Sequence, residues 1–308
     1  MLNRRTLVAA SLLALAASTA HAQSWQQRYP ELVFAVIPAE NASGTTDRYV
    51  PFTNYLSKEL GTKVTLRIAN DYAAVIEGQR AGNIHVAMYG PASYARAVMT
   101  GVGTEPLVVQ RHENGATGYY SVVYVKASSP YKTMADLKGK TIALVDPNST
   151  SGNNAPRYFL NREGFSVDGY FGKNFFAGSH ENAVLAVAQG TADAAANAWN
   201  TENDSYLTRM LAKGMLKNAD GTPMKIEDFR IVFKSDLLPE GPFSALSSLP
   251  KEVKDAIRQA MLDAPKKDKA AFDRLSDGKD IEFVAATADT YKSIVEMVKF
   301  NDNARKGQ

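Results

Sequence analysis

Residues 141–165 read TIALVDPNSTSGNNAPRYFLNREGF. The run TIALVDP (141–147) has the form of a buried strand reaching a turn, and the spacing over 151–165 predicts a helix. Between them stand three consecutive hydroxyl residues, Ser149, Thr150 and Ser151, followed by Gly152. A strand that feeds directly into a helix start is the repeating unit of open α/β sheets, whose ligands sit beyond the carboxyl ends of the strands.

The same alternation extends in both directions. LVFAVIP (32–38), VTLRIA (64–69), HVAMYG (85–90), EPLVVQ (105–110) and YYSVVYVKA (119–127) read as strands, with helical patterns at 45–61, 72–82 and 92–101 between the first four. Beyond the opening stretch, HENAVLAVAQG (180–190) predicts a helix, ADAAANAW (192–199) a small-residue strand and FRIVFKSDLLP (229–239) a further strand. Helical patterns at 251–264 and 288–301 close the chain. The class is therefore α/β with mostly parallel strands. Gly82 and Gly190 each end an apolar helix ahead of a small apolar strand, an internal echo that suggests two related lobes. We expect residues 23–118 with 232–308 to form one lobe and 119–231 the other. Crossings near 117–119 and 230–238 would form a two-strand hinge, with a ligand cleft between the lobes.

The first 22 residues read as an export signal: Arg4-Arg5, the apolar LVAASLLALAA, and Ala20-His21-Ala22 as the cleavage pattern, so the mature chain is expected to start at Gln23. The apolar run is too short to span a bilayer of ~30 Å. Cysteine is absent, which excludes a disulfide framework, a lipidated N-terminal cysteine and any thiolate metal site. An exported chain without a lipid anchor is expected in a periplasm. Removing the signal leaves 33 basic residues against 32 acidic ones, which gives no argument for nucleic acid or an anionic membrane as partner.

Each strand end supplies candidate cleft residues. A helix N-terminus offers free N–H groups and a partial positive charge, so Ser149, Thr150 and Ser151 either cap the helix or, with those N–H groups, bind an oxygen-rich anion. The P-loop pattern is absent, which disfavours a nucleoside triphosphate. His180 opens the next helix behind Ser179 and could donate Nε2–H to an anion; alternatively it is a surface histidine. Tyr72 and Tyr89 follow strands and could present phenols to the cleft or pack in the core. Glu202 and Glu240 would repel an anion unless the ligand also carried a cation. His85 reads as structural and His112 as a solvated turn residue. A hydrolase using Ser149 or Ser151, His180 and Asp146 is a competing reading, weakened by the lack of a GxSxG elbow. No cofactor or metal is expected, since no ligand spacing for one is present.

In order, DYAAVIEGQRAG, AMYGPASYA, GYYSVVYV, DPNSTSG, AGSHENAVLAVAQG and NTEN resemble the periplasmic phosphonate-binding proteins of ABC importers, the PhnD type, over roughly residues 30–245. The resemblance implies a type II periplasmic binding protein fold, a membrane-embedded ABC permease as partner, and no enzymatic activity. It further implies that Tyr89, Ser149, Thr150, Ser151 and His180 hold the phosphonate oxygens. Tyr72, Glu202 and Glu240 would surround the substituent, the two acids meeting the ammonium of 2-aminoethylphosphonate. Glu240 departs from the family's PGDP turn, since this chain has PEGP there. Phosphite, methylphosphonate or phosphate would be the alternative ligands.

Overall fold

The computed structural model describes residues 24–306. The expected signal segment and its cleavage site lie outside these residues.

Among the described residues thirteen strands form two mixed sheets with helices packed on both. They are β1 (Glu31–Val36), β2 (Lys63–Ile68), β3 (Val86–Met88), β4 (Thr104–His112), β5 (Gly118–Lys126), β6 (Thr141–Leu144), β7 (Lys173–Phe176), β8 (Ala194–Thr201), β9 (Asp204–Ser205), β10 (Phe229–Lys234), β11 (Leu238–Pro239), β12 (Phe243–Leu246) and β13 (Asp280–Ala285). The first sheet has the order β13-β4-β12-β3-β1-β2, and the second β10-β5-β8-β6-β7 with β9 and β11 at its margins.

Each sheet holds a parallel triplet, β2-β1-β3 and β7-β6-β8, built by strand–helix–strand crossovers. The remaining pairs are antiparallel, so the expectation of mostly parallel strands holds only for these triplets. The reason is the double crossing: strands that leave one sheet for the other, and those that return, add beside the triplets in the opposite sense. The chain leaves the first sheet between β4 and β5. It returns between β11 and β12 at residues 240–242, whereas the boundary expected at 231/232 cuts through β10, which pairs with β5.

The internal echo corresponds to equivalent pieces of the two sheets. Helices Tyr72–Arg80 and His180–Ala188 are both nine residues long, capped by Asp71 and Ser179. Each is followed by a left-handed glycine, Gly82 at φ 75° and Gly190 at φ 76°, where a side chain would be strained. A strand then joins a parallel neighbour, β3 to β1 and β8 to β6.

A core of Leu32, Phe34, Phe52, Phe243, Phe272 and Phe283 fills one side of the first sheet, and Val123, Leu137, Ile142, Leu144 and Leu160 one side of the second. A third cluster, including Tyr72, Val75, Tyr89, Val145, Val184 and Leu207, draws on both lobes around the cleft. Helix Lys292–Lys306 belongs by sequence to the first lobe, yet its Ile294, Met297 and Val298 pack with Tyr119, Ala155 and Leu238. No helix among the described residues is long and apolar enough to cross a membrane.

Candidate functional site

The turn after β6 is folded by its own polar side chains. Ser149 Oγ accepts the amide of Gly152 at 3.1 Å, and Asp146 Oδ1 accepts that of Asn148 at 2.7 Å. Asn154 Nδ2 donates to the carbonyls of Pro147 at 3.0 Å and Ser149 at 2.9 Å. The segment Thr150–Asn154 winds as a π-helical turn before the α-helix Ala155–Arg162 begins. A π turn widens a helix mouth and is common at functional sites. Gly152 is required for packing rather than for ligand approach: a Cβ there would lie 2.2 Å from Val145 Cγ2 and 2.8 Å from Ser149 Oγ.

This turn faces a cavity of about 120 Å³ between the lobes. That is close to the ~150 Å³ of a cavity that holds benzene, and well below the ~300–1,000 Å³ of sites for drug-sized ligands. It suits a solute of a handful of heavy atoms. Seven of the eight candidate residues border it: Tyr72, Tyr89, Ser149, Thr150, Ser151, His180 and Glu240.

Glu202 does not. It stands with Asn203 at the exposed tip of the β8–β9 hairpin, and the cavity wall there is formed by Asn200 instead. Tyr89 borders the cavity but its hydroxyl donates to Gln79 Oε1 at 3.0 Å, so its proton is committed inside the first lobe. Gly241 lies so close to the Tyr89 carbonyl that an added Cβ would sit 2.1 Å from it.

The lobes touch across the cavity. Thr150 Oγ1 accepts the amide of Ala92 at 2.8 Å, His180 N donates to the Ala39 carbonyl at 3.0 Å, and the Asn41 amide and side chain donate to Glu181 Oε2 at 2.8 and 2.7 Å. Burial pushes the Tyr72 phenol well above its ordinary range, against hydrogen bonding to Ser149. Burial and the Glu240 charge likewise raise Tyr119, against hydrogen bonding to the Thr150 and Ser151 hydroxyls. Both phenols stay protonated and can act as donors.

His180 is buried, stacked on Tyr206 with ring centroids 4.6 Å apart and planes at 4°, and bonded through Nδ1 to Asn197 Oδ1 at 3.0 Å. Burial pushes its imidazole down to about 4, with the Asn197 bond opposing. Its orienting partner is thus Asn197 rather than Asp146, so the Ser-His-Asp arrangement of the hydrolase reading is not assembled.

Several cavity residues carried no signal of their own in the sequence. Arg48, on helix Ala42–Leu60, pairs with Glu40 at 2.9 Å and donates to the Leu275 carbonyl, while its buried Nε has no partner among the described residues. Burial disfavours the guanidinium charge, but the Glu40 carboxylate, together with Tyr49, Tyr206 and Asp277, outweighs this and holds it above its ordinary value. Arg209 pairs with Asp204 at 2.8 Å.

His112 was expected to be solvated. Instead it ends β4, buried between Asp280 (Nδ1 to Oδ1, 2.6 Å) and Glu240 (Nε2 to Oε2, 3.0 Å). Burial alone would lower this imidazole; the two carboxylates outweigh it and push it up to about 10. Two carboxylates thus share one imidazole at this edge of the cavity. Glu240 Oε1 also accepts the Gly241 amide at 2.9 Å. No group of three or more metal-binding side chains suited to a metal ion occurs among the described residues.

Residues 34–291 match the model of a family described as ABC transporter, phosphonate, periplasmic substrate-binding protein. The chain is 34% identical over 270 residues to the phosphate-import protein PhnD of Mycolicibacterium smegmatis, covering 83% of this chain and 80% of that one. It is 31% identical over 264 residues to the phosphonates-binding periplasmic protein of Escherichia coli K12, covering 84% and 73%. Its fold superposes with a TM-score of 0.76 on the crystal structure of a binding protein component of an ABC phosphonate transporter from Pseudomonas aeruginosa, at 26% identity over 89% of this chain and 87% of that one.

Proposed function

This chain belongs to the family of periplasmic substrate-binding components of phosphonate ABC transporters, and from that premise we propose that it captures a small phosphonate between its lobes and delivers it to a membrane-embedded permease. The homologues are binding proteins rather than enzymes, and the family places the receptor in the periplasm. One observation carries the reading of the site. Three hydroxyl residues at a helix mouth, Ser149, Thr150 and Ser151, border the inter-lobe cavity together with His180 and the phenol-bearing Tyr72 and Tyr119. Neutral O–H donors bordering one small space suit a tetrahedral oxyanion, because hydrogen bonds to a charged acceptor are the stronger kind.

The substituent lies, on this reading, toward Glu240. The Asp280–His112–Glu240 triad sets two carboxylates around a single imidazole, an arrangement that would favour an ammonium, and so 2-aminoethylphosphonate, over an uncharged alkyl group. Glu202 has no part in it. Titration calorimetry with methylphosphonate, 2-aminoethylphosphonate and phosphate tests both levels: failure to bind any of the three rejects the receptor, and equal affinity for the two phosphonates rejects the amine subsite. A second reading, inorganic phosphate, is favoured by Arg48 and Arg209 on the cavity wall and by the name of the mycobacterial relative.

A further inference from the structure

His180 is gripped at two points by one amide. Asn197 Nδ2 donates to the His180 carbonyl at 2.9 Å, while Asn197 Oδ1 accepts the Ala198 amide at 3.0 Å and lies 3.0 Å from the imidazole Nδ1. Flipping the amide would set its oxygen against the His180 carbonyl and its NH₂ against the Ala198 N–H, so the orientation is fixed. An acceptor opposite Nδ1 requires the proton there. The neutral ring then presents a bare lone pair at Nε2. Nε2 has no hydrogen-bond partner among the described residues, and His180 borders the cavity. The sequence reading had this nitrogen as a donor; in the neutral ring it is an acceptor.

The surroundings supply little to draw a second proton onto the ring. Tyr206 covers one face, and Tyr72 and Tyr119 are neutral phenols. Glu181, next in the helix, turns its carboxylate to Asn41 in the other lobe. Asp146 is held by the Asn148 amide, Glu40 by Arg48, and Arg209 by Asp204. Glu240 and Asp280 share His112. Burial acts in the same direction, pushing the imidazole down to about 4.

Building on the receptor reading, we propose that His180 Nε2 accepts a hydrogen bond from a protonated oxygen of the head group, so that the site takes phosphonates as the P–OH monoanion and rejects sulfonates of the same shape. A sulfonate has no proton to offer at neutral pH, and would set an oxygen lone pair against the nitrogen lone pair. A phosphonate dianion above its second ionisation acquires the proton from solvent as it binds. A protonated His180 facing a dianion would contain the same number of protons, so pH dependence of affinity alone does not separate the two arrangements. The location of the proton does.

The test combines two measurements on the mature protein. Side-chain ¹⁵N spectra of histidine-labelled protein are recorded with saturating methylphosphonate near neutral pH. Calorimetry compares methylphosphonate with methanesulfonate in wild type and His180→Gln, whose carboxamide can donate as well as accept. The expected result is that His180 keeps one unprotonated nitrogen in the complex. Methanesulfonate should bind at least about 100-fold more weakly than methylphosphonate, as for an analogue that leaves a buried polar group unmatched. In His180→Gln that ratio should shrink about tenfold or more. Two protonated nitrogens in the complex, near-equal binding of the two ligands to wild type, or a ratio unchanged by the substitution would each overturn the proposal. If wild type bound neither ligand while still binding 2-aminoethylphosphonate or phosphate, the proposal would be overturned and the receptor reading kept; if it bound none of the four, the receptor reading would itself fail. The spectra need no variant, so a poorly folding His180→Gln leaves the proposal testable.

Discussion

Thr150 in one lobe caps a helix in the other: its Oγ1 accepts the amide of Ala92 at 2.8 Å. Helix Pro91–Met99 needs this, because its own N-cap position is Gly90, which has no side chain to offer. The Thr150 proton remains free for a neighbouring acceptor, so one hydroxyl serves lobe contact and head group together. Thr150→Val should lower folding stability by about 1 kcal/mol, the usual worth of an N-cap. It should also weaken methylphosphonate and 2-aminoethylphosphonate alike, by roughly 10- to 100-fold, the scale of a hydrogen bond to a charged group. Thr150→Ser should retain most of both. Denaturant titration and calorimetry check this, and a loss confined to one ligand would place Thr150 at the substituent instead.

Glu240 and Glu202 should behave differently on substitution. Glu240→Gln removes a carboxylate bonded to His112 at 3.0 Å on the cavity wall, and should weaken 2-aminoethylphosphonate at least about fivefold more than methylphosphonate. Glu202→Gln changes an exposed hairpin tip and should leave both affinities within about twofold, since charges at exposed sites are screened. A selective loss from Glu202→Gln would mean that the hairpin folds over the substituent.

Two histidines should tilt the pH profile of stability in opposite directions. His112 is raised in the fold to about 10 from an ordinary value near 6.5, so its contribution is full below pH ~6.5 and declines as pH rises toward 10. His180 is lowered to about 4, so its contribution is full above pH ~6.5 and declines as pH falls toward 4. Thermal unfolding of wild type and variants from pH 4 to 10 measures this. The difference between wild type and His112→Gln should shrink on the alkaline side, and that for His180→Gln on the acid side. Differences that do not vary with pH would show that neither histidine titrates as the contacts imply.

Gly152→Ala should cost about 1–3 kcal/mol, the usual range for overpacking, because the new methyl would overlap Val145 and crowd Ser149 Oγ. Phosphonate affinity should drop with it, as the cradle of hydroxyls is displaced. Chemical denaturation together with calorimetry reads both effects. An unchanged midpoint would mean that the turn is looser than its contacts suggest.

Much of the architecture was legible because it is local. The period-2 and period-3.6 patterns and the glycine stops marked β1, β2, β8 and the helices Ala42–Leu60 and Tyr72–Arg80 to within a few residues. The turn after β6 was legible for the same reason, since a hydroxyl run at a helix start has a meaning that does not depend on distant residues. Arg48 was not. On a long amphipathic helix its charge reads as solvent-facing, and only Glu40 and the Leu275 carbonyl, brought in by folding, keep it inside. His112 was misread because its partners Glu240 and Asp280 lie 128 and 168 positions away in the chain. Glu202 was misplaced because NTEN was read as a strand-end loop facing the cleft, whereas Trp199–Ser205 and Thr201–Asp204 pairing folds it into a hairpin.

The last helix, Lys292–Lys306, has a mechanical consequence. Asn301 Nδ2 donates to the Asn154 carbonyl at 2.8 Å, and Asn154 in turn holds the backbone of Pro147 and Ser149. The same helix holds Arg96 of the first lobe through Asp302 at 2.7 Å, so the C-terminal segment ties the two lobes together. Any parting of the lobes must carry this tie along or break it, so Asn154 and Asn301 act as a ligament between them. Cutting that ligament with Asn301→Ala should change how far the lobes swing apart, which solution scattering with and without methylphosphonate would read.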